Sequence, residues 1–135
     1  MEVKLYQYQV DDSLLEYAVI ITRYHNQWIF CRHKDRLTYE IPGGHREEGE
    51  SILNTAKREL YEETGSLVYD LIYLCDYSVE SDTKINYGRV FVAEVNTLGE
   101  LPDSEIAEIK ISKELPENWT YPEIQKKFIE YYRNK

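Results

Sequence analysis

The order of apolar and polar positions divides the chain into short strands and two helices. Over residues 1–12, Val3, Leu5, Tyr6, Tyr8 and Val10 alternate loosely with polar residues, as an edge strand or arm requires. Residues 16–23 are β-branched and apolar enough for a central strand. Residues 25–27 then turn the chain, and residues 28–32 return as the second arm of a hairpin. A polar, basic loop over residues 33–37 leads to a short strand at 39–41. Pro42 ends it, because proline has no N–H for a central ladder. Between Ser51 and Gly65, Ile52, Ala56 and Leu60 recur every four residues. That is the buried stripe of a helix with Ser51 as N-cap and Gly65 as its left-handed stop. Residues 67–78 and 89–95 read as further strands around a polar turn at 81–87. An acidic loop over 99–108, a short strand at 108–112 and a turn at 115–118 follow. Ile124, Phe128, Ile129 and Tyr132 give residues 121–133 the spacing of a closing helix. One α/β (α+β) domain over residues 1–135 accommodates this order, a mixed central sheet with helices on both faces in an α/β/α sandwich.

The first helix carries an acidic cluster whose placement matters more than its charge. Glu59, Glu62 and Glu63 lie three and four residues apart, side by side on one helical surface. At about 100° per residue, Glu59 and Glu63 fall at the edge of the apolar stripe and Glu62 just outside it, while Lys57 and Tyr61 take the opposite side. A merely solvated acidic face would put its acids opposite the stripe. Carboxylates held against the core side repel one another and are poorly hydrated, so they call for a cation. Hard oxygens of this kind suit Mg²⁺ or Mn²⁺. Arg58 can pair with Glu62 at i+4 and reach Glu50 in the preceding loop, which would hold the carboxylates in ligand geometry.

Residues 43–65 resemble the Nudix box: Gly, five residues, Glu, seven residues, Arg-Glu-aliphatic, one residue, Glu-Glu, one residue, Gly-aliphatic. Gly44, Glu50, Arg58, Glu59, Leu60, Glu62, Glu63 and Gly65 fill its fixed positions in order. Ser66 stands where the pattern asks for an aliphatic residue, and Leu67 is expected to re-enter the core in its place. Tyr39-Glu40-Ile41-Pro42-Gly43-Gly44 resembles the lead-in common in that family. The resemblance implies the α/β/α sandwich and hydrolysis of a nucleoside diphosphate-linked substrate with Mg²⁺ (or Mn²⁺) as cofactor. It also implies metal ligation by Glu59, Glu62, Glu63 and the carbonyl of Gly43. The cation would neutralise phosphate oxygens and acidify a water placed in line with the scissile anhydride. One box glutamate, or Glu108 in a segment resembling the family's late acidic stretch, would take the water's proton, with Glu105 as its neighbour in that role. Arg58 and Glu50 would orient the set.

Composition narrows the partners. A net charge of −9 excludes a basic coat for extended nucleic acid, but not an acidic enzyme gripping one phosphorylated end through a metal. Cys31 and Cys75 lie in apolar strand-like runs and read as buried free thiols rather than a disulfide. No signal peptide and no apolar run of membrane-spanning length is present, so a cytoplasmic location is expected.

The substrate is less sharply drawn. Its pocket is expected among the N-terminal hairpin, the loop at 32–37 and the strand from Arg89. Arg32, His33, Lys34 and Arg36 could meet phosphates, or simply form a solvated basic turn. Trp28, Tyr39 and Tyr87 could stack on a base, or pack as core and rim; Gly44 would let a ligand approach the backbone. The spacing of Trp28, His33, Asp35-Arg36, Tyr39-Glu40 and Leu115-Pro116-Glu117-Asn118 resembles the YtkD-like branch of the MutT-type enzymes. That resemblance implies nucleoside triphosphates, including oxidised guanine nucleotides such as 8-oxo-dGTP, cleaved to monophosphate and pyrophosphate. The alternatives are a 5′-triphosphate RNA end, ADP-ribose or a nucleotide sugar, and, in a different class, a non-catalytic ligand-sensing module. Degenerate sensors lose box acids, and none is missing here. Nothing identifies an interface, so monomer and homodimer both remain open.

Overall fold

The structure, a computed structural model, describes residues 1–135. Its strands are β1 (Glu2–Tyr6), β2 (Leu15–Tyr24), β3 (Gln27–His33), β4 (Gly43–His45), β5 (Ser66–Glu80), β6 (Ile85–Leu98) and β7 (Ile106–Ser112). Two helices, α1 (Ile52–Thr64) and α2 (Pro122–Arg133), complete it, with a single 3-10 turn at Asp12–Leu14. The strands form one sheet in the order β1-β5-β6-β2-β3-β7, with β4 added beside β2. β2 and β6 run parallel and every other strand pair is antiparallel, so the sheet is mixed.

Alternation along the central strands feeds two separate cores. Val19 and Ile21 of β2 join Val90 and Val92 of β6 against Trp119, Phe128 and Ile129 on the α2 side. Ala18 and Ile20 join Phe91, Ala93 and Val95 against Ile52, Ala56 and Leu60 of α1 on the other. The helices therefore cover opposite faces, which is the expected three-layer sandwich. Ser51 caps α1 by accepting from Asn54 N–H, and Gly65 ends it at φ 75°. The β2–β3 hairpin turns on His25 and Asn26 alone, at φ 48° and 64°, the left-handed pair that matches strand twist.

Three local expectations are corrected. Residues 39–41 make only isolated bridges, Cys31 to Glu40 and Tyr39 to Trp119, and no strand. The glycines that follow are themselves a strand. β2 pairs with β3 only at residues 22–24, which leaves Tyr17, Ala18 and Val19 an open edge that β4 fills opposite His45, Gly44 and Gly43. Leu67 does not return to the core: it is 55% exposed, while Ser66 is buried. The Ser66 hydroxyl is satisfied there by Thr64 Oγ1 at 2.6 Å, so a small polar pair closes the end of α1 where an aliphatic side chain was expected.

Both cysteines are buried free thiols. Arg89, expected beside the pocket, turns inward. It grips the fully buried Asp76 through Nε at 2.6 Å and Nη2 at 3.0 Å, and Asp76 also accepts from Val10 N–H at 2.7 Å. No helix is long and apolar enough to cross a membrane.

Candidate active site

Arg58 is the hub of the acidic face of α1. Its Nε and Nη2 clasp both oxygens of Glu50, at 2.7 and 3.0 Å. Nη1 reaches Glu59 at 2.6 Å and Glu62 at 2.9 Å, and Nη2 also donates to the carbonyl of His45 at 3.0 Å. Glu50 is set for this by Thr55 Oγ1 and by Glu47 N–H. The Arg58 pairing, joined by those bonds, draws the Glu50 carboxyl down to about 2. Arg46 secures the loop from below by donating to the carbonyls of Glu50, Asp12 and Leu15.

The three helix acids differ in exposure, as their angular positions require. Glu63 is buried, with Oε1 accepting from Gly43 N–H at 2.8 Å and Oε2 lying 3.6 Å from His33 Nε2. Glu59 is mostly covered; a Cβ on Gly44 would collide with its carboxylate, so only glycine leaves room for that group. Glu62 keeps 42% of its side chain in solvent. Burial pushes the Glu63 carboxyl up to about 9, against the opposing pull of the Gly43 N–H and with repulsion from Glu59, Glu40 and Glu62 added. Burial also raises Glu59, despite Arg58.

These residues fit a divalent cation. The donors are all hard oxygens, and Glu63 lacks compensating charge where it is buried, which a cation between the carboxylates supplies. With Arg58 occupying Oε1 of both Glu59 and Glu62, no three side chains converge as a ready-made cage. The oxygens left over, with Glu63 and the Gly43 segment beside them, are those that would hold the ion.

Gly43 and Gly44 join this acidic face to a cleft of about 480 Å³ between the sheet and α2. Tyr17, Ala18 and Val19 of β2, Tyr77 and Val79 of β5, and Tyr121, Ile124, Gln125 and Phe128 on the α2 side form its walls. His33, Arg36, Glu40, Asn86 and Glu105 supply polar groups. Arg36 Nη1 donates to Glu40 Oε1 at 2.9 Å, and Glu40 Oε2 lies 3.5 Å from His33 Nε2. A more open groove, lined by Ser13, Glu16 and the loop at 45–51, is larger but has a single apolar wall residue and lies under the acidic loop.

Of the residues named as substrate contacts, Arg36 and Gly44 lie on the cleft. Arg32 and Tyr39 do not line it: both bond Glu108 Oε1, and Arg32 Nη1 also donates to the carbonyl of Arg36. Their bonds hold the Glu108 carboxyl below its usual range, Tyr39 first and Arg32 second. Glu105, its neighbour, does line the cleft, as Glu40 does, with Oε2 4.0 Å from His33 Nδ1. Trp28 is core, and Tyr87 packs at the edge of the α1-side core. Gln125, Asn86, Tyr17 and Tyr77 were not foreseen. Gln125 alone left a signal, a polar residue within the apolar stripe of Ile124, Phe128 and Ile129.

A sequence profile of the NUDIX domain matches residues 14–132. The chain belongs to the Nudix family. A provisionally named 8-oxo-dGTP diphosphatase, YtkD of Bacillus subtilis (strain 168), is 36% identical over 100 residues, 73% of this chain. The chain spans 63% of the length of that relative. The crystal structure of a point mutant of the Bacillus subtilis pyrophosphohydrolase BsRppH superposes with a TM-score of 0.77 at 30% identity, over 92% of this chain and 78% of that one. The NUDIX domain of Shewanella oneidensis NrtR, in complex with ADP ribose, shares the fold at a TM-score of 0.70 and 14% identity, covering 94% and 89% of the two chains. In Nudix terms, residues 43–65 are the box.

Proposed function

We propose that this Nudix chain is a Mg²⁺- or Mn²⁺-dependent pyrophosphohydrolase that cleaves a nucleoside triphosphate, oxidised guanine nucleotides such as 8-oxo-dGTP among them, to monophosphate and pyrophosphate. One observation carries the reading: Gly43 and Gly44 touch Glu63 and Glu59 on one side and line an aromatic-walled cleft on the other. A molecule with a base in the cleft therefore has its phosphates at the acids. The cleft volume is in the range that takes a small ligand.

Bound metal supplies charge neutralisation at the phosphates and a more acidic water. Glu59 and Glu63, fixed by Arg58 and by Gly43 N–H, present their oxygens without rearrangement. Glu62, the most exposed of the three, has room to accept the proton of the attacking water. Arg36, on the cleft wall with 41% of its side chain exposed, offers its remaining N–H groups to the substrate's phosphate chain. The relation to YtkD supports the choice of a triphosphate and of oxidised guanine.

The test is product identity over a panel of nucleoside triphosphates, 8-oxo-dGTP, ADP-ribose, a nucleotide sugar and a 5′-triphosphate RNA, with Mg²⁺ and with EDTA. Metal-dependent release of pyrophosphate, fastest from 8-oxo-dGTP, is the expected result. Faster turnover of the RNA end, ADP-ribose or the sugar would keep the site and replace the substrate. Glu62→Gln should lower kcat by about 10²-fold or more while the protein stays folded. An unaltered ligand affinity with no turnover in the parent protein would instead mark a sensing module.

A further inference from the structure

One polar group in the cleft has no role in the chemistry above. Gln125 sits in the first turn of α2, in the stripe that also carries Phe128 and Ile129, and is only 6% exposed. A buried amide in such a stripe needs partners at both ends. Its Oε1 has one, Ile41 N–H, at 2.8 Å. Because a backbone N–H can only donate, that bond fixes which end of the amide is oxygen. The outer end is therefore Nε2, a donor and never an acceptor. Rotating the amide would set it against the Ile41 N–H.

No protein group pairs with Nε2. Tyr73 Oη is the one fully sealed polar side-chain atom without a partner, so Nε2 keeps some accessible surface, on a residue that lines the cleft. Tyr17 and Tyr121, the aromatic side chains of the same cleft that keep accessible surface, are suited to a flat heterocycle, while Tyr77 and Phe128 close its floor from the core.

We propose that Gln125 is a specificity-determining residue that favours 6-oxopurines over 6-aminopurines, by donating from Nε2 to the base carbonyl. The inference rests on the nucleotide reading of the cleft. A carbonyl oxygen at that point completes the amide's bonding. An exocyclic amine sets donor against donor and leaves the nearly buried amide unpaired, a loss of about tenfold or more in affinity.

The experiment is equilibrium binding of GMP, IMP and AMP in EDTA, by calorimetry at pH 8, to the parent protein, Gln125→Glu and Gln125→Met, with thermal melts to confirm folding. GMP and IMP should bind about tenfold or more tighter than AMP, IMP showing that the 2-amino group is not what is read. Gln125→Glu keeps an oxygen for Ile41 N–H and turns the outer donor into an acceptor, so the preference should vanish or reverse. Gln125→Met removes the group altogether and should bring the ratio near one. A parent protein that binds all three alike, or a folded pair of variants that keep the parent's preference, would overturn the proposal. If triphosphates are not hydrolysed but GMP is still preferred through Gln125, the hydrolase reading fails and this one stands. Turnover with equal binding of GMP and AMP, or with no binding of any monophosphate, gives the reverse.

Discussion

Arg58 holds Glu50 with two nitrogens and Glu59 and Glu62 with a third, and so decides how the acids face outward. Arg58→Lys keeps the charge but not the fork. It is expected to lower kcat by an order of magnitude or more with little change in KM, because the carboxylates lose their geometry and the cleft does not. An equal loss in both would show that Arg58 touches substrate directly. Glu63 makes the opposite kind of prediction. A buried carboxylate pushed up to about 9 by desolvation destabilises the metal-free protein at neutral pH, so Glu63→Gln should raise its melting temperature and remove the further rise that Mg²⁺ produces in the parent. A parent protein unaffected by Mg²⁺ would contradict the assignment of the ion to this face. Glu50 sets an acid limit. Its folded value of about 2 lies below the ordinary 4.5, so its contribution to stability is complete above pH 4.5 and is lost as the pH falls toward 2. Urea midpoints followed through that window should drop, and drop less in Glu50→Gln.

At the level of elements, the local signals were good and the long-range ones were not. Ser51, Gly65 and the Ile52, Ala56, Leu60 stripe framed α1 to within a residue, because caps and periodicity are properties of neighbouring residues. The angular argument also ranked the burial of Glu59, Glu62 and Glu63 correctly. β4 could not be read the same way: two glycines and a histidine have no strand propensity, and they pair only because β3 leaves β2 unpartnered at Tyr17, Ala18 and Val19. Gln125 left a trace in the pattern, but the Ile41 N–H that makes it a one-sided donor comes from far along the chain. The Asp76–Arg89 pair had no trace at all, since it joins adjacent strands on an interior face. Asp76→Asn leaves Arg89 buried with a neutral partner and frees the Val10 anchor only in part. A loss of about 3 kcal/mol or more in denaturant unfolding is expected, and Asp76→Asn with Arg89→Met should recover much of it. Failure of the double change to recover stability would mean that the pair holds the N-terminal segment rather than balancing charge.

Across the whole molecule, the acids and the cleft belong to different layers. α1 lies on one face of the sheet and α2 on the other, and the β4 glycines pass the connection between them. The two cysteines lie inside this arrangement. Burial pushes the Cys75 thiol up to about 12 and Cys31 well above its usual range, with Glu63 and Glu40 adding to the latter. Neither should react with a disulfide reagent at pH 8 until the protein unfolds, when both should titrate together; early labelling of one would reveal local opening of the sheet.

The parallel pairing of β2 with β6 has a consequence in time. Val19 lies opposite Val90, with the glycines, α1 and all of β5 strung between them, and no hairpin can bring those two strands together. That closure is the slow kind. An early folding species could already carry the acids of α1 yet possess no wall on which to lay a base. On the proposed reading, nucleotide binding should therefore return during refolding in the same late phase in which Trp28 and Trp119 become buried, and not before that seam has zipped.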